Sequence, residues 1–508
     1  MGAMEQERKQ TMPGTGTRQG DGDGRVYLCI DLKTFYASVE CADRRLDPFV
    51  TNLVVADPRR GDSTICLAVT PAMKRLGVRN RCRVFEIPRE IRYTKALPRM
   101  RRYMEVSAAI YGIYLRYVSA QDVHVYSIDE CFIDATPYLG RPGYGDTARA
   151  FARMLMDAVM REQRIPATAG IGPNLFLAKV ALDVLAKHED DGIAELDQES
   201  FRQRIWPHRP ITDIWGIGPG TARKLAAHRV YDLMGVAALD EQILYRELGV
   251  SAEYLIDHAH GREPCTIAQI RAYRPAASSL ASGQVLSRDY GADEARTVVR
   301  EMVDAAVLEL VARGAAAGGI SLQVGYGRGA APAPGSCAAC VDPARHSAVD
   351  DTVMIERRAR VAGAWMGGIV GEEALVPGGI EYGGSQAGRT HRVARGAFGG
   401  AGGQRRLPGR TNSLKRIMAA FMELFDEQVD SRRAIRRVNI GLTDLVPEEL
   451  IQDDLFTDVE AEAAEHRLAE AVNEVRNRFG KNALLRGTSF EPGATARERN
   501  LQVGGHHA

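Results

Sequence analysis

Several absences narrow the reading before any motif is considered. No run of 18 or more apolar residues occurs in the 508-residue chain, so nothing in it is expected to span a membrane as a helix. The opening stretch, MGAMEQERKQTMPGTGTRQGDGDG, lacks the apolar centre of a secretory signal and reads as a polar, disordered tail over residues 1–24. The eight cysteines (Cys29, Cys41, Cys66, Cys82, Cys131, Cys265, Cys337 and Cys340) are scattered and suggest reduced core thiols in a cytosolic protein, not a disulfide framework. Charge of one sign is missing too: 66 basic against 65 acidic residues leave a net charge of +1, which is silent about nucleic acid. Strand-like patterning is absent from 200 to 265, so that segment is expected to be a small helical domain.

What is present is material for several cores. The length is too great for one core, and 45% hydrophobic with 26% charged residues is the composition of a globular chain. The basic residues cluster: thirteen Lys or Arg against three acids (Asp62, Glu86 and Glu90) between Arg59 and Arg102, and again in SRRAIRRVN, 431–439. Acids gather later, in LVPEELIQDDLFTDVEAEAAE. Local basic patches on a neutral chain fit a polyanion-binding surface.

From 25 to 190, strands interleave with helices. RVYLCIDLKTFYASVE reads as a buried strand (26–31) running into a helix from about Phe35, and TPAMKRLGV as a helix stopped at Gly77. DVHVYSI and CFIDAT are strand-like runs around a tight turn, followed by an amphipathic helix, the strand and turn ATAGIG, and the helix NLFLAKVALDVLAKH. This is an α/β domain. Beyond the linker-like QIRAYRPAAS, a strand–helix–strand theme appears twice, as expected of a small α+β domain. The Gly-rich stretch at about 328–410 reads as a long, largely disordered insertion.

Within VYSIDECFIDAT, 125–136, Asp129 and Glu130 stand side by side. Neighbouring carboxylates raise each other's pKa. Taken alone, such a pair is usually an exposed acidic turn. Here apolar strands flank it, and Asp31 ends another buried strand, where an open α/β sheet presents side chains to ligands. Three carboxylates converging from a strand end and a hairpin would bind hard divalent cations such as Mg²⁺, often together with substrate phosphates. Adjacent residues on a flat strand point to opposite faces, so Asp129 and Glu130 can share a site only if the chain bends there, which the hairpin supplies.

The stretches IDLKTFYASVE, YSIDECFID, AGIGPNLFLAKVALDVLAK and DIWGIGPGTARKL occur in this order and at the expected separations. Through them the chain resembles the Y-family, lesion-bypass DNA polymerases of the UmuC-like branch, over about 25–325 and 410–460. The resemblance implies an α/β multidomain right hand: palm (25–50 and 105–190), fingers (51–104) and helix-hairpin-helix thumb (191–268). A linker (269–277) then leads to an α+β little finger (278–327 and 411–446), with 328–410 as an insertion and 447–508 as a C-terminal tail. It makes Asp31, Asp129 and Glu130 the catalytic metal ligands for two Mg²⁺ ions, assisted by the Leu32 carbonyl. Lys33 departs from relatives that often carry Asp or Asn there. Phe35 and Tyr36 take the steric-gate position, where a ring under the incoming sugar disfavours a ribose 2′-OH. Lys74 and Arg75 match basic residues on the triphosphate, although Pro71 stands where some relatives have Tyr. Lys187 matches a further phosphate lysine, with Lys179 a weaker candidate on a similar face.

WGIGPG, 215–220, looks like a helix-hairpin-helix whose Gly216 and Gly218 let backbone N–H groups meet a DNA phosphate without reading bases. Arg288, Arg432, Arg433, Arg436 and Arg437 would track the DNA backbone. QDDLF, 452–456, resembles the peptide that bacterial polymerases insert into the sliding clamp, with Leu455 and Phe456 filling an apolar pocket and Gln452 at its rim. Cys337 and Cys340, with His346 nearby, lack a second Cys pair and read as an accidental pair in the insertion, with a zinc site as the alternative. The expectation is therefore an error-prone translesion DNA polymerase in a bacterial cytoplasm, associated with the nucleoid. Its expected partners are primer–template DNA, dNTP, the sliding clamp and SOS accessory proteins. The alternative of a different class is a non-catalytic, clamp-recruited DNA-binding factor on the same scaffold, which would have lost the metal acids. A nucleotide cyclase on a related palm would leave the helix-hairpin-helix and the clamp peptide unexplained.

Overall fold

The computed structural model describes residues 24–58, 61–273, 279–330, 399–452, 458–503 and 506–507. The chain forms two units: residues up to Lys33 with Tyr111–Gln269, and Thr34–Ile110 with the chain from Ile270 onward. Strands are numbered along the chain as β1 (Tyr27–Leu32), β2 (Leu53–Val55), β3 (Ala68–Val69), β4 (Thr94–Ala96), β5 (Val123–Val125) and β6 (Glu130–Asp134). They continue as β7 (Ala167–Gly172), β8 (Ile193–Glu195), β9 (Leu280–Tyr290), β10 (Ala315–Ala330), β11 (Gly400–Thr411) and β12 (Arg433–Pro447).

In the first unit the apolar run YLCIDL becomes the central strand of a five-stranded sheet, ordered β5-β6-β1-β7-β8. A central strand is covered on both faces, so its residues are apolar without alternation; Leu28, Cys29 and Ile30 are fully buried. Strand β1 pairs antiparallel with β6 and β7, and β7 parallel with β8. The helices Ala148–Gln163 and Leu175–Val180 pack on this sheet. The second is capped by Asn174, whose side-chain oxygen accepts the Leu177 N–H at 2.8 Å. It continues as a π-helical segment, Ala181–Ala186. Strand β8 belongs to this sheet, although its residues fall in the range assigned to the thumb; Gly192, at φ +70°, makes the turn that returns the chain to β7. Residues 200–265 are helical, as their lack of strand pattern predicts.

In the second unit, β2, β3 and β4 form a small sheet over a core that includes Val54, Cys66, Val69 and Met73. Beyond Ile270 a four-stranded sheet, ordered β11-β10-β12-β9, carries the helices Ala292–Ala312 and Leu414–Gln428. Period-two alternation sets its core face: Ile320, Leu322 and Val324 on β10, and Val438, Ile440 and Leu442 on β12, meet Met302 and Phe421 from the helices.

Two expectations are corrected here. The insertion does not extend to residue 410, because Gly400–Thr411 is strand β11, an edge strand paired antiparallel with β10. Nor is 447–508 a plain tail. It contains a 21-residue helix, Val459–Phe479, whose Glu465 accepts hydrogen bonds from the Ser413 hydroxyl at 2.7 Å and the Lys415 N–H at 3.0 Å. Farther on, the backbone N–H groups of Thr495 and Ala496 donate to buried Glu301 at 2.7 and 3.0 Å, and Gln502–Val503 pairs with His506–His507. Cys337, Cys340, His346, Leu455 and Phe456 lie outside the described residues.

Candidate active site

The acidic doublet sits at a hairpin. Tyr126 and Ser127 each donate a backbone N–H to the Glu130 carbonyl, at 2.9 and 3.0 Å, closing the turn between β5 and β6. Asp129 is the last turn residue and Glu130 the first of β6. The Ser127 hydroxyl donates to Asp129 Oδ1 at 2.7 Å and holds that carboxylate. The register of β1 against β6 places Asp31 directly opposite Glu130, and the Leu32 N–H donates to the Asp129 carbonyl at 2.8 Å. Asp31, distant in sequence, is thus a neighbour of the acidic doublet.

Their electrostatics follow from that crowding. Burial, then the nearby Glu130 and Asp129 carboxylates, push the Asp31 pKa up to about 8. Burial also raises Glu130, which the sequence reading left without a partner. The partner is Lys179, on the helix that packs against β1: Nζ lies 2.6 Å from Glu130 Oε1 and 3.0 Å from Asp183 Oδ2, with the lysine side chain 6% exposed. Cys29 adds a thiol hydrogen bond to the same Glu130 oxygen at 3.1 Å. Lys179 is therefore an internal ion-pair partner of Glu130, while Lys187, two turns on, is 55% exposed and 4.0 Å from Asp183 Oδ1. A clue to the pairing was present in AKVALD, where Lys and Asp stand four apart on one helix face. That Glu130 joins them depends on the tertiary fold.

The close approach of that helix has a cause in AGIG. A Cβ on Gly170 would lie 2.1 Å from the Ala178 carbonyl oxygen, and one on Gly172 would lie 2.6 Å from the Ala178 nitrogen. Only glycine lets β7 and the helix touch backbone to backbone.

Among the described residues no group of three or more His, Cys, Asp or Glu side chains is already arranged around a metal position. The donor set nevertheless suits a hard cation: carboxylates from Asp31, Asp129 and Glu130 and a backbone carbonyl at Leu32. Burial and like-charge crowding together push the Asp31 pKa up to about 8, and a dication would relieve the crowding.

The remaining predicted residues are distributed as follows. Burial is the main cause lowering the pKa of Lys33, and the Asp31 carboxylate partly opposes it. Phe35 is buried, and Tyr36 stacks on Tyr103 at 4.5 Å and 15°. The Tyr103 hydroxyl donates to buried Glu40 at 2.8 Å, as does Arg99 Nε at 2.9 Å. This support for the Tyr36 ring was not found in the sequence. Lys74 and Arg75 are exposed at the end of the Pro71–Arg75 helix, with Arg75 donating to the Phe49 carbonyl. Gly216 has φ +85° and Gly218 caps the Pro219–Ala227 helix, and no atom lies within 4 Å of where a Cβ would stand on either.

Among the arginines, Arg288 is paired with Glu294 at 2.5 Å and Arg432 with Asp430 at 3.1 Å. Arg433 lies 3.9 Å from the Tyr326 ring centroid, and Arg436 is 3.9 Å from Asp289. Arg437 pairs with Val285 in the β12–β9 ladder. Gln452 is the last described residue before the segment that would hold Leu455 and Phe456.

Residues 30–183 match the model of the impB/mucB/samB family, and residues 383–455 match that family's C-terminal domain. UvrX of Bacillus subtilis, a protein named for UV-damage repair, is 27% identical over 482 residues, covering 94% of this chain and 97% of its own. A protein named DNA polymerase IV 2, also of Bacillus subtilis, is 28% identical over 498 residues, covering 95% and 99%. A solved chimera of the Y-family DNA polymerases Dbh and Dpo4 superimposes with a TM-score of 0.55 at 15% identity, covering 83% of this chain and 99% of that one. With the acidic hairpin, the sheet and the loop glycines in place, residues 30–183 and 383–455 carry the impB/mucB/samB domain and that family's C-terminal domain, and the chain is similar over nearly its whole length to proteins named for UV-damage repair and as DNA polymerase IV.

Proposed function

We propose that the protein is a template-directed DNA polymerase of damage tolerance, in which a primer 3′-OH attacks the α-phosphate of a bound dNTP. The observation that carries this reading is the register that sets Asp31 opposite Glu130, with Asp129 at the adjoining turn. Asp31, Asp129 and Glu130, with the Leu32 carbonyl, would hold two Mg²⁺ ions. Divalent ions bound there supply positive charge to the attacking and leaving oxygens of an in-line phosphoryl transfer.

The chain's own groups do the rest. Lys179 and Cys29 fix the Glu130 carboxylate by holding one of its oxygens. Ser127 orients Asp129. Asp31 surrenders its proton when positive charge enters the site. Tyr36, held flat against Tyr103, serves as the wall against a 2′-OH. Lys74, Arg75 and Lys187 bind phosphates, and the backbone at Gly216 and Gly218 receives a phosphate of the DNA. Arg288, Arg432, Arg433, Arg436 and Arg437 contribute positive charge along the duplex, after giving up or sharing their present partners.

Retention of all three acids argues against the non-catalytic DNA-binding factor. Gln452, Leu455 and Phe456 are the proposed sliding-clamp peptide, SOS accessory proteins are proposed further partners, and the bacterial cytoplasm is the proposed site of action.

The deciding experiment is primer extension with Mg²⁺ and dNTPs by Asp129→Ala and Glu130→Ala. Both variants are expected to lose at least about a hundredfold in rate while still binding primer–template. Undiminished synthesis overturns the assignment. Replacing Leu455 and Phe456 together by Ala is expected to abolish stimulation by added clamp; stimulation that persists removes that peptide from the proposal.

A further inference from the structure

The helix-hairpin-helix loop and the acidic hairpin are joined by one side-chain contact. Trp215, which opens WGIGPG, donates its indole N–H to the Tyr126 hydroxyl at 3.0 Å. The two rings meet edge to face, 6.1 Å apart at 73°. Tyr126 is part of the hairpin turn, since its N–H donates to the Glu130 carbonyl. Its ring meets Phe132 of β6 edge-on at 5.7 Å, and its centroid is 5.8 Å from Lys179 Nζ, the ammonium paired with Glu130. On its other side Trp215 stacks on His258 at 5.8 Å, and His258 stacks on Phe176 at 4.0 Å. Phe176 lies three residues before Lys179 on the same helix. One indole therefore touches the acidic hairpin directly and reaches the helix bearing Lys179 through a second route. All of these groups belong to the first unit.

The contact is directional. An N–H···O bond weakens steeply once its angle falls below about 120°, so the loop cannot shift much without releasing the tyrosine. Immediately beyond Trp215 the chain changes character: Gly216 and Gly218 have open space where side chains would be. The residue that anchors the loop to the hairpin is thus adjacent to the backbone that would meet a phosphate.

We propose that Trp215 and Tyr126 are positioning residues that couple the phosphate-binding loop to the acidic hairpin, so that seating the loop on a DNA phosphate fixes Asp129 and Glu130 in place. This rests on the polymerase reading. Neither residue need touch substrate, since each acts through the carboxylates. The coupling is reciprocal, because a loop that favours one hairpin position is itself favoured by it.

The test is amide hydrogen exchange of the full chain, free of metal, with and without primer–template DNA. In the parent protein, DNA is expected to slow exchange both at Gly216–Gly220 and at the Ser127 and Glu130 amides of the hairpin. In Tyr126→Phe, which loses a single oxygen, protection at Gly216–Gly220 persists and protection at the hairpin is lost. Trp215→Phe, which keeps an aromatic ring, gives the same pattern. In steady-state extension each variant loses about fivefold in kcat, as expected for one hydrogen bond, with KM for dNTP unchanged. The double variant is no slower than the slower single.

Hairpin protection that survives in both single variants overturns the coupling, and so does its loss at both sites together. Losses in kcat that multiply in the double variant overturn it as well. The parent protein separates the two claims: if it extends no primer yet shows DNA protection at the hairpin, the polymerase reading fails and the coupling stands. If it extends primer while the variants match it in exchange and rate, the coupling alone fails.

Discussion

Gly170 shows how one missing methyl group positions a lysine. Its absent Cβ is the space into which the Ala178 carbonyl fits, and Lys179 follows directly. Gly170→Ala is expected to destabilise the protein by about 3 kcal/mol or more, because the obstructing atoms are backbone and have no rotamer to escape into. A thermal midpoint within a degree of the parent's would refute this. In the sequence AGIG reads as strand and turn, and the need for glycine becomes visible only when a helix is laid on the strand. Lys179 is a similar case. Its spacing from Lys187 made it look like a second phosphate lysine, whereas burial beside Glu130 makes it an internal counter-charge.

A pH effect also belongs to single residues. Hydrogen bonds from Arg102, and then Arg99, outweigh burial and hold the Asp43 carboxyl below its usual range. A depressed folded-state pKa contributes stability above the unfolded-state value near 4, and that contribution fades as pH falls through the folded-state value. Asp43→Asn is therefore expected to be less stable than the parent at pH 7, by at most about 1 kcal/mol since the arginines are well solvated. The gap should close below about pH 4 in denaturant titrations. A gap that widens on acidification would show that the arginines are not the cause.

At the scale of elements, the strands and helices up to 190 were legible because their apolar runs are long and regular. Strand β11 was not, because GAGGQRRLPGRT is rich in glycine and contains Pro408, both poor strand residues. It forms because it is an edge strand, where a proline without an N–H is tolerated and only β10 must be satisfied. The C-terminal helix escaped notice for a different reason: acid-rich composition suggested a solvated tail, but Glu462 and Glu465 face basic and donor groups of the Leu414–Gln428 helix. Glu465→Ala should lower the stability of the sheet-and-helix module by about 1 kcal/mol, the usual cost of losing a helix N-terminal acceptor. An unchanged unfolding transition would demote the Val459–Phe479 helix to a passive appendage.

At the scale of the whole molecule, each unit is assembled from two separated lengths of chain, with crossings after Lys33, Ile110 and Gln269. The motifs that carry the family resemblance lie in order along the sequence, so the family was recognisable even though unit boundaries were not. The hairpin acids and Asp31 were legible as a site because strand ends and turns leave clear marks, whereas the contact between Trp215 and Tyr126 joins residues 89 apart and leaves none. The sheet supplies a last test at this scale. Gly325 of β10 is paired with Gly400 at the start of β11, and β10 runs on past that rung to Ala330. Replacing 331–398 by a Gly-Ser linker long enough to reach from Ala330 back to Gly399 is expected to leave the thermal midpoint within a few degrees. A collapse of the fold would show that the excised residues hold the two strands together.

The pairing of β10 with β11 makes the insertion a natural splice point. Any cargo whose own termini lie close together, such as a fluorescent reporter or an affinity module, can be grafted between these strands without stretching the sheet. The protein could then be tracked in living cells with both of its ends left untouched.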